Sequence, residues 1–182
     1  LWRIPMKIVI PDDFPPVMAG SKELERLKNY GDVVLYNTKA ESEPELIERL
    51  KGAGAVINVR SYTIFNSHVL DSLPDLELIS ILGTGTDNVD FEAAKRNRVV
   101  VTNTPEASTI SVAEHTMALM LSMSRNVVPA CNSLKGGAWD RKKYMGNQLN
   151  GKVLGVIGLG RIGMAVAKMA AGFNMKILGY DL

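Results

Sequence analysis

The sequence predicts an α/β protein: an open parallel sheet covered by helices, followed by a single βαβ unit. Two observations carry this expectation. From residue 6 to residue 102, short runs of β-branched and apolar residues alternate with helix-like stretches, and most runs are apolar on both faces, as buried parallel strands are. Near residue 158, a glycine-rich turn lies directly between a strand-like run and a helix-like run.

The elements follow in order. MKIVI (6–10), closed by Pro11, reads as a buried strand, and Ser21–Asn29 as a helix stopped by Gly31. VVLY (33–36) is a second strand. Residues 43–51 form a helix with Leu46, Ile47 and Leu50 on one face and Gly52 behind it. AVINV (55–59), LELISIL (76–82) and VVVT (99–102) are the next three strands. Short helices over 66–73 and 91–97 separate them, the second with Asp90 as N-cap. Residues 108–128 differ: SVAEH leads into TMALMLSMSR, too apolar for a surface helix and therefore expected to pack between domains. The stretch containing GGAWDRKKYMGNQLNG reads as a loop. VLGVI (153–157), a helix over 161–173 and a strand over 175–180 complete the βαβ unit.

Composition excludes several classes. At 182 residues and 46% apolar content the chain can bury a real core and begin a second. Twenty-one Lys+Arg against 19 Asp+Glu, scattered along the chain, argue against a nucleic-acid surface. The modest run Asp140–Lys143 reads as a solvated turn. No apolar run reaches the roughly 20 residues of a membrane helix, and the first five residues are too short and broken for a signal peptide. Cys131 is the sole cysteine, so no intrachain disulfide forms, which suits a cytoplasmic setting. Two distant histidines and one cysteine offer no metal-ligand spacing.

The turn Gly158-Leu159-Gly160-Arg161-Ile162-Gly163 fits G-x-G-x-x-G in the context that motif requires, after a strand and opening a helix. Gly158 permits the tight turn, Gly160 leaves room for a pyrophosphate, and Gly163 lets helix and sheet approach closely. The helix N-terminus offers free N–H groups and its positive dipole end to phosphates. Asp181, ending the next strand, stands where a carboxylate accepts from the adenosine ribose and repels a 2′-phosphate. NAD is therefore the expected cofactor.

Several segments together resemble one family: VRSYTIFN (59–66), GTGTDNVDFEAA (83–94), TNTP (102–105), SVAEHTMALMLSMSR (111–125), WDRKKYMGNQLNGKVLGVIGLGRIG (139–163) and GYD (179–181). They resemble the D-isomer-specific 2-hydroxyacid dehydrogenases, most closely the phosphoglycerate branch. The resemblance implies a flavodoxin-like parallel-sheet substrate domain over 1–105, followed from 106 to 182 by the interdomain helix and the first βαβ unit of a Rossmann NAD domain, truncated. By resemblance, Arg60 and Ser61 face the substrate, Thr84 and Gly85 hold its carboxylate with Thr84 also near the cofactor, and Arg161 and Ile162 wrap the pyrophosphate. Trp139 matches a loop that packs against the partner subunit in family dimers, so the implied partners are a small 2-hydroxy or 2-oxo acid and a second copy, without nucleic acid or membrane.

One position departs from the pattern. Ile81 stands where some phosphoglycerate dehydrogenases carry an arginine, which keeps glyoxylate and hydroxypyruvate open as alternative substrates. The family transfers a hydride between C2 of the acid and C4 of nicotinamide, with a histidine, a glutamate and an arginine that all lie further along the chain than Leu182. His115 and Glu114 read as packing residues of the interdomain helix, and His68 as a surface residue. The expectation is therefore a fragment without catalytic residues of its own and without turnover. The alternative readings are a non-enzymatic truncated relative or dimerisation module, and a co-repressor built on the same fold.

Overall fold

A computed structural model describes residues 6–182; the opening five residues, weighed above as a signal peptide, lie outside them. The chain divides into two compact units between Pro105 and Glu106.

The first unit is a five-stranded parallel sheet. Its strands are β1 (Met6–Ile10), β2 (Gly31–Leu35), β3 (Ala55–Asn58), β4 (Leu78–Ile81) and β5 (Val100–Thr102), in the order β2-β1-β3-β4-β5. This is the flavodoxin-like order, which reverses between β1 and β3. Every pair is parallel, with Val9 opposite Val34 and Val56, and Val56 opposite Ile79. The connecting helices are α1 (Lys22–Leu27), α2 (Glu43–Leu50), α3 (Ser67–Asp71) and α4 (Phe91–Arg96). Each begins where a short polar side chain can take an orphan N–H. Ser21 accepts from Leu24, Ser42 from Glu45, Asn66 from Val69 and Asp90 from Ala93.

Gly31 proves to be the first residue of β2 rather than a stop after α1. A Cβ there would lie 2.1 Å from the carbonyl oxygen of Met6, so only glycine lets the edge strand close on β1. Helix α3 packs against both α2 and α4. With the central strands they enclose Val9, Leu50, Val56, Phe65, Val69, Leu70, Ile79 and Ala93, all fully buried. Each large side chain among them contributes about 1.5–3 kcal/mol through burial. Ile81, the departing position, faces this core as a buried residue.

The second unit contains α5 (Thr109–Ser124), α6 (Val127–Lys135), β6 (Val153–Ile157), α7 (Arg161–Ala171) and β7 (Lys176–Tyr180). β6 and β7 pair in parallel, Val153 opposite Lys176 through Ile157 opposite Tyr180. The core here is small: Ala113 and Met117 of α5 meet Val166 and Ala170 of α7, with Met120, Leu154 and Ile177 partly buried around them.

Helix α6 corrects the expectation of a loop after residue 128. Asn126 adopts the left-handed conformation (φ +52°), ends α5, and lets a new helix start one residue later. Pro129 falls in the first turn of α6, where a missing N–H costs no hydrogen bond, so the proline that suggests a break in sequence is compatible with the helix. The Asn126 amide donates to the carbonyl of Met145, tying the break to the following loop.

Candidate functional site

In the second unit the glycine turn and the terminal acid come together. Leu159 N–H donates to Oδ2 of Asp181 at 2.9 Å, and Leu182 N–H donates to Oδ1 at 3.0 Å. The backbone of Gly158 closes the same corner by donating to the carbonyl of Tyr180 at 2.8 Å. Parallel pairing sets this arrangement: β6 and β7 end side by side, so the segments leaving the two strands emerge at one edge. A carboxylate has about four acceptor positions, so Asp181 retains capacity toward a further donor.

Each of the three glycines has a separate physical reason. Gly158 has φ +88°, which a side chain would strain. A Cβ on Gly160 would meet nothing within 4 Å, so its backbone is open to approach. A Cβ on Gly163 would lie 2.0 Å from the carbonyl oxygen of Gly158, so helix α7 can sit against the turn only with glycine there. Gly160 is also the N-cap of α7, and no side chain caps that end, leaving its N–H groups for a ligand or water. This set fits a dinucleotide pyrophosphate and ribose: open backbone, unspent donors at a helix start, and an acceptor carboxylate beside the turn. Arg161 is engaged with Glu106, Nε to Oε1 at 2.8 Å, an exposed pair within the same unit. Ile162 is exposed.

In the first unit the residues expected to face substrate lie at the C-terminal edge of the sheet. The turn after β3 carries Arg60 and Ser61; the loop after β4 carries Thr84 and Gly85. The β1–β3 crevice is the topological switch point, where open α/β sheets bind ligands. Arg60 borders it, and its Nη2 donates to the carbonyl of Pro15 in the segment after β1. Thr84 and Gly85 are exposed. Their loop is fastened by the TNTP segment: Asn103 donates to the carbonyl of Thr84 at 2.8 Å, and Gly83 N–H donates to the Thr104 hydroxyl at 2.8 Å.

Beneath these loops lies a polar network that pattern reading missed. Asp12, Asn58, Thr63 and Asn88 are all buried. Asp12 accepts from the Asn58 amide (3.2 Å), from Val59 N–H (3.3 Å) and from the Thr63 hydroxyl. Asn88 donates to the Asn58 side-chain oxygen (2.9 Å) and to the Thr63 carbonyl (2.7 Å). Burial pushes the Asp12 carboxyl above its ordinary value, against the hydrogen bonds from Thr63 and Val59 and the nearby Arg60 charge. Asp13, next in the chain, shifts the other way: burial raises it, but N–H donors from Met18, Val17 and Ala19 outweigh burial and hold it below the ordinary range. Among the described residues, Arg60 Nε and Asn88 Oδ1 are buried without a partner. Such atoms cost about 1–3 kcal/mol each and concentrate where structure gives up stability for function. The sequence signal was an asparagine ending an otherwise apolar strand and a paired aspartate after another.

Other candidates resolve simply. His68 lies on the surface, its Nδ1 2.6 Å from Glu43 Oε1. His115 and Glu114 are exposed on α5, so the expected packing role is not seen around them. Trp139 is 78% exposed and borders a groove of about 370 Å³ with Leu134 and Tyr144. A cavity of about 350 Å³ beside α2 includes neither Arg60 nor Ser61; Lys39, Glu41 and Glu43 are among its lining residues. Among the described residues no cluster of metal-ligating side chains occurs, and no helix is long and apolar enough to cross a membrane.

A flavodoxin-like sheet joined to a βαβ unit whose glycine turn meets a carboxylate defines a class, α/β proteins built in the manner of two-domain dehydrogenases. The chain belongs to the D-isomer specific 2-hydroxyacid dehydrogenases, whose catalytic-domain model matches residues 13–175. It is 49% identical over 140 residues to D-3-phosphoglycerate dehydrogenase of Methanocaldococcus jannaschii, covering 77% of this chain and 26% of that protein. It is 42% identical over 175 residues to D-3-phosphoglycerate dehydrogenase of Sus scrofa, covering 96% of this chain and 32% of that protein. Among solved structures, the TT0316 protein of Thermus thermophilus superposes with TM-score 0.87 at 32% identity, over 97% of this chain and 56% of that one. An acyclic imino acid reductase, Bsp5, solved with NADPH and D-Arg, superposes with TM-score 0.84 at 28% identity, over 96% and 55%. The chain thus spans about a quarter to a third of the length of these curated relatives.

Proposed function

We propose that this chain is the N-terminal portion of an NAD-dependent oxidoreductase that moves a hydride between nicotinamide and a D-2-hydroxy or 2-oxo acid, with 3-phosphoglycerate as the leading substrate. The observation that carries the cofactor half of this reading is the hydrogen bond from Leu159 N–H to the Asp181 carboxylate. It leaves an acceptor beside the pyrophosphate turn, suited to a ribose hydroxyl and repulsive to a 2′-phosphate. Nicotinamide, when bound, supplies or accepts the hydride. The chain's own residues do the holding: the N–H groups after Gly160 take phosphate oxygens, Asp181 orients the ribose, and Arg161 can leave Glu106 for the pyrophosphate. Arg60 and Ser61 bind the acid from the turn after β3, while backbone donors at Thr84 and Gly85 take its carboxylate, with Thr84 also toward the cofactor.

The 1–105 unit is the substrate domain in this reading, and 106–182 begins the NAD domain. In this reading no turnover is expected from these residues, because neither of their histidines stands with the segments that would hold cofactor and acid. Of the two histidines present, His68 is taken up by Glu43 on the surface and His115 is exposed on α5. The decisive experiment is a fluorescence titration of the 182-residue chain with NADH and NADPH. NADH is expected to bind more tightly, and Asp181→Ala to narrow the difference at least tenfold; equal affinities in the unsubstituted chain would overturn the assignment to NAD. Adding hydroxypyruvate or glyoxylate with NADH should leave the absorbance at 340 nm unchanged, and robust oxidation would refute inactivity.

A second reading is favoured by Trp139, a large aromatic surface left in water. The chain would then serve as a dimerisation module through the 139–150 loop and helix α5. Stable dimers by light scattering without NADH binding would support it.

A further inference from the structure

The exposed loops that are expected to meet substrate sit on buried polar side chains with no assigned role, and the connectivity of those side chains is specific. One carboxylate, Asp12, grips both ends of the 59–63 turn: Val59 N–H at the start and the Thr63 hydroxyl at the end. Asn58, one residue before the turn, gives its amide both to Asp12 and to the carbonyl of Arg60 (2.9 Å). The tip of the turn is held from outside by the Tyr62 hydroxyl, which donates to the carbonyl of Phe14 at 2.7 Å. Asn88 then joins this cluster to the next loop, because its amide reaches Asn58 and Thr63 while its backbone belongs to the 83–90 segment. The backbone repeats the link: Phe65 N–H donates to the Asn88 carbonyl at 2.8 Å, and Asp90 N–H to the Phe65 carbonyl at 2.9 Å.

We propose that Asp12 is a positioning residue: through Asn58, Thr63 and Asn88, its buried carboxylate fixes the Arg60–Ser61 turn and the Thr84–Gly85 loop as one body. The role assigned to that body rests on the reading that both segments face substrate; the mechanical link does not. The physical reasoning is direct. A buried carboxylate is costly unless its oxygens are engaged, and amide groups relay that demand because each has both a donor and an acceptor. Losing the charge or one partner therefore loosens every member, including residues that never touch Asp12. A solely structural core residue would weaken the unit without singling out these two loops. Such fixing matters to an acid-binding site because a guanidinium must be held in register with the backbone donors that share its ligand.

The test uses the full 182-residue chain with Thr63→Val, which removes the hydroxyl, Thr63→Ser, which restores it, and Asp12→Asn. Leu50→Ala serves as a core control matched for loss of thermal midpoint. Amide hydrogen exchange is read at Val59, in contact with Asp12, and at Val89, in the other loop. Thr63→Val and Asp12→Asn should speed exchange at both sites at least tenfold beyond the core control, with Thr63→Ser near wild type. Acceleration at Val59 alone, or equal acceleration in Leu50→Ala, would overturn the proposal. Titration with 3-phosphoglycerate, followed at the Ser61 and Thr84 amides, adds the functional arm. Thr63→Val should weaken binding at least tenfold and Thr63→Ser should recover it; unchanged binding in Thr63→Val would overturn the positioning role. If the wild-type chain binds no 3-phosphoglycerate, the substrate reading fails while the exchange result still decides the link.

Discussion

The two units use the same local grammar, parallel strands joined by helices, but support it differently. In the first, five strands and the α2, α3 and α4 helices close around a large apolar cluster, and even charged side chains are buried with partners. Arg49 is the clearest case: its guanidinium donates to the carbonyls of Pro11 and Thr38, pairs with Glu45 and lies over the Tyr36 ring. In the second, two strands and α5 and α7 share a core of four buried residues, two of them alanine. Outward apolar side chains such as Ile157, Leu178 and Met123 remain exposed. The contrast teaches where each unit can place its chemistry. A deep core can hold buried polar networks beneath a site. In the shallow one the candidate site is backbone geometry and a single carboxylate.

The sharpest way to test this contrast is to remove one large side chain from the deep core. Phe65→Ala should cost about 3–5 kcal/mol and lower the denaturation midpoint of the first unit, read by urea titration. A loss under 1 kcal/mol would mean that the cluster is loosely packed. Arg49→Ala should come next, at roughly 3 kcal/mol, because it strands the buried carbonyl of Pro11 and releases that of Thr38 as well as removing a charge. Gly163→Ala tests the second unit. Its Cβ must displace the Gly158 carbonyl, so it should cost on the order of 1–3 kcal/mol and weaken NADH binding together with stability. A neutral result would contradict the close packing of α7 on the turn.

Acid titration separates neighbouring aspartates of the first unit. Asp13 is held below its unfolded value, so its contribution is present above the ordinary carboxylate range and disappears as pH falls through its lower folded value. Asp12 is raised, so its charge works against folding above its folded value and that cost fades on acidification. Asp13→Asn should therefore flatten the acid limb of stability against pH, and Asp12→Asn should steepen it. The smallest effect belongs to the surface. Removing Arg96, paired with Asp71 in solvent, should change stability by about 0–1 kcal/mol, and a larger loss would show that α4 depends on that pair.

Much of the fold was legible because it is written in short-range pattern. β-Branched runs gave every strand, and Asp90 was legible as an N-cap; the caps at Ser21, Ser42 and Asn66 emerged only with the structure. Helix α6 was not legible, because a proline three residues into a helix, here Pro129, carries no helix signal of its own unless it is known to fall in a first turn. Gly31 misled for a related reason: a glycine that stops a helix and one that admits a neighbouring strand look alike in one dimension. The candidate site was legible where it is made of backbone, at Gly158, Gly160 and Gly163. It was illegible where it is made of contacts. Nothing in the spacing of Asp12, Asn58, Thr63 and Asn88 declares that they meet, since each stands in a different loop or strand end.

By itself the sequence determined the alternation of elements, the parallel character of the sheet and the glycine turn with its distant acid, because these depend on local sterics and on side-chain periodicity. Tertiary structure alone decided that Asp181 reaches Leu159, that Arg161 pairs with Glu106, and that one buried carboxylate lies under two loops. Those are pairings across long stretches of chain, and their energies come from burial and geometry that exist only once the strands are side by side.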